Sequence, residues 1–289
     1  MEDRLEIGVK VSKITIIGNA ILSFIKILIG FVSRSNAMLA DGVHSFSDVV
    51  STIGVIIGLK LSHKPEDKEH PYGHEKIESL SSLFLSLMLL AVGIGIGVSG
   101  VRNILAGNYI VPGSLAILGA IISIITKEWM YHYTMKYAKI INSSSLKADA
   151  WHHRSDSLSS IGALIGIIGA RLGFPILDSL VALIISILIL KVGYDIAKQS
   201  IAQVIDQSAN EEIVSEIEDK VKSIEGVKKI DTLKTRLHAN KIYVDIEISV
   251  DSDIPVKSGH DIAQKVHNLV EENSDVKHCM VHINPYVNK

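Results

Sequence analysis

The chain has 289 residues, is 47% hydrophobic with a mean hydropathy of +0.33, and carries a formal net charge of −2. That is too apolar for an ordinary soluble protein of this length, and it lacks the basic excess of a nucleic-acid binder. A single cysteine, Cys279, excludes an internal disulfide and a cysteine-rich zinc ribbon, whereas 12 histidines point to imidazole and carboxylate chemistry.

The charged N-terminus, MEDRLEIGVKVSK, runs directly into an apolar stretch with no small-residue cleavage site, which predicts a retained helix rather than a signal peptide. A helix crossing a ~30 Å hydrocarbon core needs about 20 residues. Six segments qualify as transmembrane helices: 12–32, 36–60, 78–101, 112–135, 144–170 and 176–198. The second and fifth are interrupted by Asp and His in their first halves, while their second halves, VVSTIGVIIGL and IGALIGIIGA, are membrane-like. Beyond residue 205 the texture changes. NEEIVSEIEDKVKSI places Ile213, Ile217, Val221 and Ile224 on one helical face. Two strands follow around a turn at Ala239–Asn240, then a second helix (KSGHDIAQKVHNLVEEN) and a third strand (KHCMVHINP). The expected organisation is a six-helix transmembrane domain over 1–205 and a soluble α-β-β-α-β domain, of α+β class, over 206–289.

Basic residues orient the membrane part. Lys60, Lys64, Lys68 and Lys76 follow the second helix, and Lys136, Lys139 and Lys147 follow the fourth. The other side carries only Arg34, Arg102 and Arg171. The positive-inside rule then predicts that both termini and the soluble domain are cytoplasmic. The second and fifth helices would run in opposite directions.

Those two helices also repeat each other. Residues 40–58 (ADGVHSFSDVVSTIGVIIG) and 148–166 (ADAWHHRSDSLSSIGALIG) are identical at 10 of 19 positions. Each copy carries a His and an Asp four apart, His44 with Asp48 and His152 with Asp156, so each dyad projects from one helical face. Each dyad lies about ten residues into its helix, roughly 15 Å along the axis, which puts both near the bilayer midplane. Because the helices are antiparallel, His44 should lie level with Asp156 and Asp48 with His152. Charged groups at this depth usually mark ion pathways. Two imidazoles and two carboxylates make a tetrahedral shell suited to Zn²⁺, with no open position for an activated water. Asp41 and Asp149, three residues before each histidine, are read either as partners that orient the histidines or as helix-start residues. His153 and Arg154 point away from the dyad face. Between the second and third helices, Asp67, His70 and His74 have a spacing that can cup a metal ion, although spacing alone slightly favours a solvated polar loop. In the soluble domain, His238, His267 and His278 read as ordinary surface histidines.

The HSFSD and HHRSD motifs, the six helices and the α-β-β-α-β tail together resemble the cation diffusion facilitator family, across essentially the whole chain. The resemblance implies a homodimeric secondary transporter, not an enzyme, that exports divalent cations from the cytoplasm in exchange for protons. It implies a plasma (inner) membrane location with a metallochaperone-like, ferredoxin-like cytoplasmic domain. It places the transport site at His44, Asp48, His152 and Asp156, and it identifies DKEHPYGH, with Asp67, His70 and His74, as the family's second zinc site. Ligands of a regulatory site would fall at Asp231, Glu247, His260 and His282. Several relatives have His at the positions of Asp231 and Glu247 and Asp at that of Asn284, so a single weak site using Glu247, His260 and His282 is expected. Histidine at both dyads favours Zn²⁺, with Fe²⁺, Co²⁺, Cd²⁺, Ni²⁺ or Mn²⁺ as alternatives. A ligating imidazole must be neutral, so protons and metal compete for His44 and His152, which couples the two fluxes. A membrane-tethered metal sensor without transport is the reading from a different class. An intramembrane metalloenzyme would need an H-E-x-x-H-type motif, which the chain lacks.

Overall fold

A computed structural model describes residues 4–32, 36–107, 114–174, 176–273 and 275–286. The chain divides into two units, Met1–Ser200 and Ile201–Lys289.

The first unit consists of six long helices, α1 (Arg4–Val32), α2 (Asn36–Ser62), α3 (Lys76–Ala106), α4 (Ser114–Ile140), α5 (Ser144–Arg171) and α6 (Ile176–Val204). Each begins or ends beyond its apolar run. α1, for example, starts eight residues before position 12 because Leu5, Ile7 and Val11 pack against α2 and the α4–α5 turn. Among the described residues, three helical stretches are long and apolar enough to cross a membrane: Arg4–Ile29, Lys76–Ala106 and Ser179–Val204.

The distribution of side chains in α1 is inverted relative to a soluble protein. Ser12, Thr15, Asn19, Ser23 and Lys26 recur at helical spacing and are buried, while Ile17, Ile21, Phe24, Leu28 and Phe31 face outward. A helix in water buries its apolar stripe. The reverse pattern places hydrocarbon outside and polar groups between helices, where they hydrogen-bond or bind cargo. α3 and α6 approach through reciprocal glycines. A Cβ on Gly93 would meet Leu190 at 3.0 Å, and one on Gly193 would meet Leu90 at 3.1 Å. Ser186 Oγ also donates to the Gly93 carbonyl at 2.7 Å. Small residues here let the backbones come close.

The second unit is α7 (Glu211–Lys222), β1 (Lys229–His238), β2 (Lys241–Asp251), α8 (Val256–Glu271) and β3 (Val276–Tyr286). β1 and β2 form a hairpin around Ala239, whose φ is +55°. β3 pairs parallel with β2, giving the order β1-β2-β3. A parallel neighbour requires a crossover, and α8 supplies it. Ile217 and Val221 of α7, Val266 and Val270 of α8, and Val244, Ile246 and Ile248 of β2 form one core. The pairing of β1 with β2 shifts between Ile230 and Thr232, so Asp231 occupies a bulge.

Candidate metal centre

α2 and α5 touch at two levels. Thr52 Oγ donates to Asp149 Oδ1 at 3.2 Å, and Asp48 Oδ1 lies 3.3 Å from His152 Nε2. Residue numbers rise along one helix as they fall along the other, so the two helices are antiparallel. Asp156 joins the second level: one ligand atom each from Asp48, His152 and Asp156 lies within 4.8 Å of the others. Asp48 and His152 are buried. His44 belongs to α2, but its side chain, like that of Asp41, lies outside the described residues.

A residue that motif reasoning passed over completes the cluster. Lys127 of α4 is 1% exposed, and its Nζ donates both to Asp48 Oδ2 and, at 2.8 Å, to Asp156 Oδ2. A buried carboxylate pair is costly without positive charge, and a lysine ammonium supplies it here. The Lys127 ammonium occupies the carboxylate oxygens that a metal ion at this cluster would use. A second buried lysine, Lys26 of α1, donates to Ser45 Oγ of α2 at 3.0 Å. Both lysines interrupt apolar runs, and the rarity of ionisable residues at that depth is the signal that finds them.

Asp149 takes neither expected role. α5 starts at Ser144, where Ser143 Oγ accepts the Leu146 N–H at 3.2 Å, so Asp149 sits beyond the first turn. Its carboxylate turns to Thr52 and, at 3.6 Å, to His153 Nε2. His153 and Asp149 are four apart on one face, and both are fully buried. His153 therefore points away from the Asp48–His152 level but inward, to its own carboxylate. Arg154 points outward, pairing with Glu128 at 3.2 Å and lying over the Tyr131 ring at 4.4 Å.

The loop between α2 and α3 gathers Asp67, His70 and His74 into a second group with ligand atoms within 4.8 Å. Asp67 Oδ1 accepts the backbone N–H groups of Glu69 and His70 at 3.0 and 2.8 Å, folding the loop around the carboxylate. The Lys64 ammonium, 2.8 Å from Oδ2, and the His70 backbone N–H hold its pKa well below the usual carboxylate range. His74 Nδ1 lies 3.2 and 3.1 Å from the Lys64 and Pro65 carbonyls. Carbonyls only accept, so Nδ1 carries a proton, and Nε2 faces Asp67 Oδ2, 3.4 Å away. This is how outer hydrogen bonds commonly fix a ligating imidazole.

In the soluble unit Glu247 and His282 are direct neighbours across β2 and β3. Asn284 Nδ2 donates to Asp231 Oδ2 at 3.2 Å and to Glu247 Oε2 at 3.4 Å. Hydrogen bonds from Ser249, Lys229 and Asn284 lower the Asp231 pKa to about 2. His260 lies in the first turns of α8, and among the described residues no cluster of three ligand atoms within 4.8 Å includes Asp231, Glu247, His260 or His282. Of the histidines read as surface residues, His238 is in fact buried, against the Tyr243 ring at 5.1 Å. His267 and His278 converge on Glu271.

Comparison with known proteins covers both units. Residues 12–204 match the family described as the cation efflux transmembrane domain, and residues 209–286 match the cytoplasmic domain of cation efflux proteins. The chain is 34% identical to the manganese efflux system protein MneP of Bacillus subtilis (strain 168), over 98% of each chain. It is 33% identical to metal tolerance protein C1 of Arabidopsis thaliana, over 97% of this chain and 63% of that one. A solved structure of MamM-CTD, 22% identical, covers 26% of this chain and 98% of its own, with a TM-score of 0.26.

Proposed function

The chain belongs to the cation efflux family, that of the cation diffusion facilitators, and from that premise we propose that it exports a divalent transition-metal cation through Asp48, His152 and Asp156, with His44 as a fourth ligand. The observation that carries this reading is the convergence of the three ligand atoms around a site whose two carboxylates already share a cation, the Lys127 ammonium. An incoming divalent ion takes the two carboxylates from Lys127, and the ammonium returns when the ion leaves. Metal binding also requires a neutral His152, so metal and proton compete for its ring nitrogen, and a protonated ring would release its proton as metal enters. Alternation of these occupancies across the membrane gives cation/proton antiport.

Mixed imidazole and carboxylate ligands favour Zn²⁺ over the all-oxygen shells preferred by Mn²⁺. Mn²⁺ is the second reading, favoured by the 34% identity to a manganese efflux protein over nearly the full chain. In this account all six helices span the plasma (inner) membrane, with both termini and the soluble unit in the cytoplasm. Asp67, His70 and His74 bind a further ion in the cytoplasmic loop. The chain works as a homodimer, and Asp231, Glu247, His260 and His282 contribute a weak regulatory site that a second copy helps to complete. Residues 1–205 carry transport and 206–289 carry dimerisation and sensing.

The test is flux into proteoliposomes loaded with a pH dye, with Zn²⁺ and Mn²⁺ supplied in turn. Zn²⁺ uptake accompanied by proton release is expected, with slower Mn²⁺ uptake. Metal flux with no opposing proton flux would remove the antiport reading, and faster Mn²⁺ than Zn²⁺ flux would replace zinc with manganese.

A further inference from the structure

The soluble unit contains a metal-ligand cluster at positions to which the family resemblance assigns no role. His267 and Glu271 lie one turn apart on α8, and His278 lies on β3, with one ligand atom from each within 4.8 Å of the others. All three are partly exposed and open to solvent ions. Their orientation is fixed by the backbone of one residue, Cys279. His267 Nδ1 is 2.8 Å from the Cys279 carbonyl oxygen, so Nδ1 carries a proton and leaves Nε2 as the ring's free ligand atom. Nε2 faces Glu271 Oε2 at 3.4 Å. The other carboxylate oxygen accepts the Cys279 N–H at 3.0 Å and lies 3.1 Å from His278 Nδ1.

With its Nε2 unprotonated, His267 would aim a lone pair at the point that the Glu271 carboxylate also faces, where a cation would join the two. The hydrogen bonds that aim both groups at that point are of the kind that orient metal ligands from outside. The Cys279 thiol takes no part: it is buried, and burial pushes its pKa up to about 12, with the Glu271 and Asp245 charges acting in the same direction.

We propose that His267, Glu271 and His278 form a divalent-metal site with three protein ligands and an open position for water. Two imidazoles and a carboxylate suit Zn²⁺, Co²⁺ or Ni²⁺. The ion would tie the last turn of α8 to the start of β3. The site shares no residue with the membrane or loop clusters, so it stands or falls independently of the transport reading.

The experiment uses the full chain in detergent, stripped with chelator and titrated with Co²⁺, whose visible spectrum reports coordination. The background carries Asp48→Ala, Asp156→Ala, Asp67→Ala and His70→Ala, which disable the other two clusters. Adding His278→Ala, or separately Glu271→Gln, should reduce binding by one Co²⁺ per chain and remove the corresponding visible band. Gln at 271 keeps an acceptor for the Cys279 N–H, so this variant remains informative if His278→Ala misfolds, and circular dichroism of the metal-free proteins checks the fold. A background that binds no Co²⁺, or unchanged stoichiometry in Glu271→Gln, would overturn the site.

Discussion

The buried cluster of Asp48, His152 and Asp156 and the loop cluster of Asp67, His70 and His74 use the same two ligand types in opposite surroundings. In the loop, eight consecutive residues supply all three ligands, and backbone N–H groups and a partly exposed lysine stabilise the carboxylate. In the membrane unit the ligands come from α2 and α5, about 100 residues apart, and Asp48 and His152 are buried. There the charge balance must come from another helix, and Lys127 of α4 provides it. The contrast teaches that an exposed site is organised locally, whereas a buried one requires a partner that is remote in sequence.

Removing that partner should have the largest effect. Lys127→Met leaves two buried carboxylates without their cation, and losing one member of a buried pair costs about 3–5 kcal/mol. The metal-free protein in detergent should unfold at a clearly lower denaturant midpoint than the parent, and added Zn²⁺ should recover much of the difference. An unchanged midpoint would mean that Lys127 does not balance Asp48 and Asp156. Combining Lys127→Met with Asp48→Asn should sharpen the point. The double variant should be more stable than the sum of the single effects, by a coupling of about 0.5–3 kcal/mol.

The loop should behave differently. Asp67→Ala removes a solvated carboxylate, so the unfolding midpoint should stay near that of the parent while one bound Zn²⁺ per chain is lost. A large loss of stability would break the distinction between the two clusters. The smallest effect is expected at the β1 bulge. Asp231 has a folded pKa of about 2, below the ordinary ~3.9, so it stabilises the soluble unit above pH ~3.9. That contribution is lost as pH falls from there through about 2. Asp231→Asn should flatten the acid limb of the unfolding curve in that window, lowering stability modestly at neutral pH and leaving the two proteins alike below about pH 2. An identical acid limb in both proteins would show that the hydrogen bonds from Ser249, Lys229 and Asn284 are not maintained in solution.

Much of this architecture is legible from residue spacing. The repeat at 40–58 and 148–166 carries its own geometry: helical period puts Asp48 and Asp156 four residues after their histidines, and antiparallel packing brings Asp48 to His152. The α-β-β-α-β order follows from periodicity and from the Ala239 turn. What escaped lies outside the motifs. Lys127 is a lone residue in an apolar run, and nothing local links it to α2 or α5. The preference of Asp149 for His153 depends on rotation of α5, which spacing fixes only to within a face. His267 and His278 are eleven residues apart and meet only because β3 returns alongside α8. Six apolar segments become six long helices, and among the described residues Arg4–Ile29, Lys76–Ala106 and Ser179–Val204 are long and apolar enough to cross a membrane.

Zn²⁺ flux compared across three variants in the same vesicles tests the central claim most directly. Asp48→Ala and Asp156→Ala should bring flux down to that of protein-free liposomes, whereas Asp67→Ala should retain measurable transport. Flux that persists in both membrane-site variants would contradict passage through the buried cluster.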